Sequence, residues 1–247
     1  MKEDGKIKLY GFNNLTKSLS FSFYKLHYLS NSDQHIDYNE YIKKRYSAGN
    51  LTTILTDVCH AIGGNILNIA KQDYQPQGAS VTLMISEEAQ PESLVAHLDK
   101  SHLCIHTYPD DRPTNNIAIF RADLELSTCG VISPFNVLNY LIDEFDADII
   151  DIDYRIRGMT RDHQGTKRFN DQKITQISEY FSDNIKAKYQ YINRDLTQSN
   201  LFHSRLSRKV IAVDDYLLAF NNYQLSSAAR KAIKSDIEQE LIQLFTR

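Results

Sequence analysis

Asn65-Ile66-Leu67-Asn68-Ile69-Ala70, then Gln75-Pro76-Gln77-Gly78, then Ala79-Ser80-Val81-Thr82-Leu83-Met84-Ile85 decide how this chain folds. Two apolar runs rich in β-branched residues, joined by a turn containing Pro and Gly, read as a β-hairpin. Beyond an acidic, proline-containing loop at 87–92, Ser101-His102-Leu103-Cys104-Ile105-His106 alternates as a third strand. Residues 116–126 make a fourth, with Ile117, Ile119, Ala122, Leu124 and Leu126 as its inward side chains. Contiguous hairpin signals favour antiparallel pairing.

Outward from this core, Ile42, Tyr46, Leu51, Ile54, Leu55, Val58 and Ile62 recur at helical spacing and predict one helix over 41–62. Gly63-Gly64 ends it, because glycine readily takes the left-handed geometry of a C-terminal cap. After the fourth strand, Ser133 is placed to N-cap a helix with Pro134 in its first turn and Phe135, Leu138, Leu141, Ile142 and Phe145 on one face. Residues 147–156 read as a strand, 174–192 as a helix, and 226–245 as a terminal amphipathic helix. The Tyr- and Ser-rich segment after Phe12 and the stretch 201–213 fit neither template. The expected fold is α+β: one domain spanning 1–247, a two-layer α/β sandwich with a mainly antiparallel sheet and helices packed on one face.

The chain has 247 residues, 42% hydrophobic and 24% charged, with a formal net charge of −3. That is long enough for a sizeable core and is neither a disordered nor a collagen-like composition. A near-neutral balance argues against a dedicated nucleic-acid binder. No run of about 18 apolar residues offers a membrane span, and no apolar segment follows the charged N-terminus as a secretory signal would. Cys59, Cys104 and Cys129 contain no Cys-x-x-Cys pair, so neither a disulfide framework nor a cysteine-rich zinc site is expected. A cytoplasmic protein is the default.

There is no Gly-x-Gly-x-x-Gly, no P-loop and no His-Glu-x-x-His. Asp143, Glu144, Asp146, Asp148, Asp151 and Asp153 read as a solvated helix end and loop. The stretch from His97 to Pro109 packs three His, a Ser and a Cys beside the third strand, where His102, Cys104 and His106 share a face. A metal site, a Cys/His nucleophile pair and a half-buried set of histidines all fit that pattern. Cys129 lies in a small-residue turn between a strand end and a helix start. Such a place can lower a thiol's pKa, though cysteines most often just fill space.

Taken together, Lys100-Ser101-His102-Leu103, Ile105-His106-Thr107-Tyr108-Pro109, Phe120-Arg121-Ala122-Asp123 and Ser127-Thr128-Cys129-Gly130 resemble bacterial S-adenosylmethionine decarboxylase of the longer, Gram-negative type. The likeness extends to Gly11-Phe12-Asn13-Asn14-Leu15-Thr16-Lys17-Ser18-Leu19-Ser20, to Gln75 through Val81, and to Ile152-Asp153-Tyr154-Arg155-Ile156-Arg157-Gly158.

The resemblance implies a proenzyme that cuts itself between Lys100 and Ser101, leaving a 1–100 β chain and a 101–247 α chain. In that family the serine hydroxyl attacks the preceding carbonyl. β-Elimination from the resulting ester then leads to a pyruvoyl group, which forms a Schiff base with the amine of S-adenosylmethionine. The family assigns the base for processing to the residue here numbered His106, a side chain that titrates near neutral pH. It assigns the proton donor in decarboxylation to the residue here numbered Cys129, a thiol mainly protonated at pH 7 unless its pKa is strongly lowered.

Among substrate contacts, the resemblance puts Ser80 near the processing site. It puts Tyr74 where its ring stacks on adenine or packs the hairpin. Asp110 stands where the family has Glu for the ribose hydroxyls. A homo-oligomer of αβ units, dimer or tetramer, is implied, with active sites at or near protomer contacts. So are Mg²⁺ dependence, for which the resemblance assigns no ligands and the acidic cluster around Asp148 to Asp153 is only a guess, and a place in spermidine synthesis as the source of the aminopropyl donor. The alternatives are a pyruvoyl-dependent arginine or ornithine decarboxylase, favoured only by Asp110, and a catalytically inactive regulatory paralogue. Retention of Ser101, His106 and Cys129 speaks against the latter.

Overall fold

The computed structural model describes residues 9–30, 32–86, 101–110, 113, 116–129, 132–218 and 225–246. Lys100 and the loop 87–92 lie outside them. The predicted hairpin is present as β3 (Asn65–Asp73) and β4 (Ala79–Ser86), continued by β5 (His102–Pro109) and β6 (Ile117–Cys129). Next to β6 runs β2 (Thr16–Tyr28), then β7 (Ile149–Arg157), β11 (Leu201–Arg208) and β10 (Tyr189–Asn193). This gives one eight-stranded sheet in the order β10-β11-β7-β2-β6-β5-β4-β3, each neighbouring pair antiparallel. A small second sheet joins β1 (Leu9–Asn13), β8 (Thr160–Asp162) and β9 (Lys167–Arg168).

The Tyr- and Ser-rich segment turns out to be the central strand. In β2 the buried Leu19, Phe21 and Phe23 alternate with Ser18, Ser20 and Ser22, a period-two pattern with one apolar and one polar face. The apolar face, with Val81, Leu83, Ile105, Leu124, Ile150 and Ile152, meets α1 (Ser32–Arg45), α2 (Ala48–Ala61) and α3 (Leu138–Phe145). This is the expected α+β sandwich.

Three predicted elements differ in detail. The 41–62 helix is two helices, because Ser47 takes an extended conformation and caps α2 by accepting from the Asn50 N–H. Ser133 makes no side-chain cap; Pro134–Val137 is a 3₁₀ turn leading into α3. The 174–192 helix shrinks to a 3₁₀ turn (Ile177–Tyr180) and α4 (Asp183–Lys188), capped by Ser182. The Tyr- and Ile-containing run after α4 joins the sheet edge as β10, where such side chains pack better than on a helix. Gly63 does end α2 in the left-handed region (φ +79°).

The last helix, α5 (Ser227–Thr246), departs from the expectation of helices on one face and lies on the other side of the sheet. Its Ile233, Ile237, Leu241 and Leu244 bury Tyr24, Leu26, Ile117 and Ile149. It covers the end of that face where β2 finishes. The opposite end, where Thr16 pairs with Cys129, carries polar side chains. Among the described residues no helix is long and apolar enough to cross a membrane.

Candidate active site

Residue 101 precedes β5 by one position, and its carbonyl accepts from the Ile85 N–H at 3.4 Å, so the ladder to β4 already fixes its backbone. Its side chain is buried, and Ser101 Oγ lies 3.3 Å from Cys129 Sγ at the end of β6. Twenty-eight residues of sequence separate the two, and the β5–β6 register brings them together.

Two motifs shape this end of the sheet. Gly158 sits at φ +85°, and a Cβ there would lie 2.4 Å from the Asn14 carbonyl oxygen, so only glycine fits. Asn14 donates its N–H to the Met159 carbonyl at 3.1 Å and accepts from the Met159 N–H at 2.8 Å. The turn before β2 is thereby clamped to the turn after β7. Beside it, Lys17 and Asp171 form a buried ion pair at 2.7 Å, which ties the 171 segment to β2 in register with Thr128.

The other expected site residues gather elsewhere. His106 stands opposite Ser80 on β4 and Asp123 on β6. The Tyr74 hydroxyl is 2.8 Å from Ser80 Oγ. Thr107 Oγ1 accepts from the Ala79 N–H at 2.7 Å, and the hairpin turn closes onto β5 at Gly78 (φ +106°), where a Cβ would meet the Thr107 carbonyl oxygen at 3.1 Å. Tyr108 stacks under the Arg121 guanidinium at 4.3 Å, which in turn pairs with Asp123 at 2.9 Å. Asp110 extends the β5–β6 ladder through its N–H to Ile119.

The chain thus builds two half-sites along one strand. Ser101 and Cys129, the latter at the end of β6, lie beside the start of β5; His106 on β5, Ser80 on β4, Tyr74 and Asp110 lie toward its far end. Five residues of extended strand put Ser101 and His106 about 16 Å apart along β5. A general base must come within hydrogen-bond reach of its proton, about 3 Å. One chain by itself therefore does not bring His106, or Ser80, to Ser101.

His102, Cys104 and His106 share a face, as the alternation predicts, but each has its own surroundings. His102 Nε2 is 3.9 Å from Glu125, and burial together with Glu125 pushes the Cys104 thiol pKa up, which disfavours a thiolate nucleophile there. The acidic run is not a solvated loop. Asp151 and Asp153 lie on β7, where Asp151 pairs with Arg205 and Asp153 with His203 Nδ1 at 2.8 Å. Asp148 is fully buried, accepting from the Leu26 N–H, Arg208 Nε and the Tyr216 hydroxyl. Asp148 and Asp151 are taken up by Arg208 and Arg205, and among the described residues no cluster of three metal-type ligands occurs, so this run does not fit a Mg²⁺ site.

The motifs that include Ser18, Ser127 and Arg157 give these residues no role in the sequence. Ser18 Oγ lies 3.3 Å from Ser127 Oγ and accepts from Arg157 Nη2 at 3.2 Å, on the polar face beside Cys129. The period-two alternation of β2 and β7 was the signal that could have found them.

Comparison with known proteins shows which family the sequence belongs to. Residues 42–158 match the family model described as S-adenosylmethionine decarboxylase. The chain is 46% identical, over 97% of its length and 96% of the relative, to the S-adenosylmethionine decarboxylase proenzyme of Pectobacterium atrosepticum. It is 45% identical, over 98% and 96%, to the proenzyme of the same name from Clostridium botulinum. A solved adenosylmethionine decarboxylase from Aquifex aeolicus aligns over 67% of this chain and 96% of that one at 14% identity, with a TM-score of 0.37, too low to add to the sequence result.

Proposed function

This chain belongs to the S-adenosylmethionine decarboxylase family, and we propose that it matures by cutting itself before Ser101 and then decarboxylates S-adenosylmethionine through the pyruvoyl group so formed. The observation that carries the reading is the 3.3 Å contact between the Ser101 hydroxyl and the Cys129 sulfur. It joins the residue to be converted with the residue that is to hand over a proton.

In processing, Ser101 Oγ adds to the Lys100 carbonyl and displaces its own amide nitrogen, exchanging the peptide for an ester. His106 then takes the Cα proton of residue 101, and the Cβ–Oγ bond breaks, releasing the Lys100 carboxylate and leaving dehydroalanine. Water replaces nitrogen at residue 101, with loss of ammonia, and the pyruvoyl carbonyl remains. That group supplies the electron sink for carbon dioxide loss. Cys129, held against residue 101, gives its proton to the substrate's Cα.

The along-strand separation of Ser101 and His106 supports an assembly in which a second copy supplies the base. A pairing of two chains with their β5 strands opposed would set His106, Ser80 and Tyr74 of one copy against Ser101 and Cys129 of the other. The polar sheet end left uncovered by α5 is available for such a pairing. We therefore place the working enzyme as a homo-oligomer of αβ units, at least a dimer. Tyr74 is 41% exposed, with its ring accessible and its hydroxyl fixed by Ser80, so it can stack on the adenine. The product is then the aminopropyl donor for spermidine synthesis in the cytoplasm.

Release of carbon dioxide from carboxyl-labelled S-adenosylmethionine, arginine and ornithine tests the substrate assignment. Turnover of the first alone is expected; turnover of either simpler amino acid instead would overturn it.

A further inference from the structure

On β7 the polar sheet face carries Asp151, Asp153, Arg155 and Arg157 in succession. The two aspartates are matched by Arg205 and His203 on β11. Neither arginine has a carboxylate partner among the described residues, and both are exposed. The face therefore ends in two uncompensated guanidinium groups, and it ends next to the Ser101–Cys129 contact. Thr16 pairs with Cys129 on one side and with Arg157 on the other; Ser18 pairs with Ser127 and with Arg155 in the same way. Arg157 also leans across β2 toward β6, since its Nη2 donates to Ser18 Oγ, which is itself in contact with Ser127 Oγ. Neighbouring strands lie about 4.8 Å apart, so an arginine side chain two strands away reaches the space above Cys129.

We propose that Arg157, with the charge of Arg155 behind it, receives the α-carboxylate of the substrate and is a specificity-determining residue of this enzyme. The inference rests on the function proposed above. The substrate's amine must reach the carbonyl at residue 101, and its carboxylate is one carbon from that amine. S-Adenosylmethionine has no other anionic group, and a planar guanidinium matches a carboxylate with two parallel N–H donors. Held this way, the bond from Cα to the carboxylate is fixed in direction relative to residue 101, while Cys129 stands ready for the proton that replaces it. Arg157 thereby orients the carboxylate for departure.

Arg157→Gln and Arg157→Lys, purified as full chains and checked for cleavage by mass, test this. Two quantities are measured: KM and kcat for S-adenosylmethionine, and competitive inhibition by decarboxylated S-adenosylmethionine, the same molecule without the carboxylate. In Arg157→Gln, KM is expected to rise roughly tenfold or more. It should be partly restored in Arg157→Lys, with inhibition by the carboxylate-free compound unchanged in both. An unchanged KM, or equal weakening of both ligands, would overturn the assignment. So would failure of both variants to mature, which would place Arg157 in folding or processing instead. A wild-type protein that is cleaved but inert toward S-adenosylmethionine would instead remove the proposed function itself.

Discussion

Ser101 Oγ touches Cys129 Sγ at 3.3 Å, although 28 residues of sequence separate the two. His106, five residues further on in β5, is out of reach of both. On the function proposed above, the processing nucleophile and the proton donor thus share one half-site, while the processing base belongs to the other.

Replacing Ser101 by Ala removes the attacking oxygen and is expected to leave an intact chain without decarboxylase activity. Cys129→Ala should separate the two steps. Its chain still cuts, since the thiol is not the nucleophile, but turnover falls by about 10²-fold or more for loss of a positioned acid. Gel mobility and carbon dioxide release read the two steps separately. A Cys129→Ala enzyme of normal activity would contradict the assignment.

Mixed oligomers test the division of the site between copies. Ser101→Ala and His106→Ala chains, each uncleaved alone, should restore cleavage in the His106→Ala chains when co-expressed with differently tagged Ser101→Ala partners. Cleavage that never appears in the mixture, although hetero-oligomers form, would show that each chain must supply its own base.

His27 is 3% exposed, and neither of its ring nitrogens has a partner. Burial, aided by the charge of Lys25, lowers its pKa from 6.5 to about 3. The unfolded chain therefore takes up a proton below about pH 6.5 that the folded chain refuses. Stability is full above that pH and is lost as pH falls toward 3, by about 2 kcal/mol at pH 5 from this residue. His27→Phe, which keeps a flat ring beside Tyr38 and Tyr41, should melt higher than wild type at pH 5 and gain less at pH 8. Equal gains at the two pH values would contradict this account.

Asp148 ties together β2, β11 and the turn at Tyr216 from a fully buried position. Asp148→Ala takes the acceptor from the buried Leu26 N–H and Tyr216 hydroxyl and leaves Arg208, its ion-pair partner, with Asp146 as the remaining carboxylate. Removing one partner of such a pair costs about 3–5 kcal/mol, which lowers the melting temperature by about 10 °C. Asp148→Asn, which keeps an acceptor, should lose less. A melting temperature unchanged in Asp148→Ala would show that Arg208 finds compensation elsewhere.

The hairpin, the strands around it and the terminal helix were legible because their patterns are local. The central strand was not: Ser18, Ser20 and Ser22 make it look polar until its neighbours show that one face is meant to be polar. The helix expected over 174–192 failed because Ile177, Phe181 and Ile185 serve the same core from separate short elements, with Tyr189 carried by β10. At the site, Ser101, His106 and Cys129 were named by motif resemblance, and spacing alone left Cys129 as filler. Which of them meet was not legible, because strand register is set by long-range pairing. For the same reason Arg157 was given no role, although it lies one strand beyond Thr16, the partner of Cys129.

The mass of the purified protein tests the central claim most directly. The account predicts two fragments, residues 1–100 and 101–247, the larger blocked to N-terminal sequencing and reactive toward carbonyl reagents. A single intact chain of 28.5 kDa that nonetheless decarboxylates S-adenosylmethionine would contradict it.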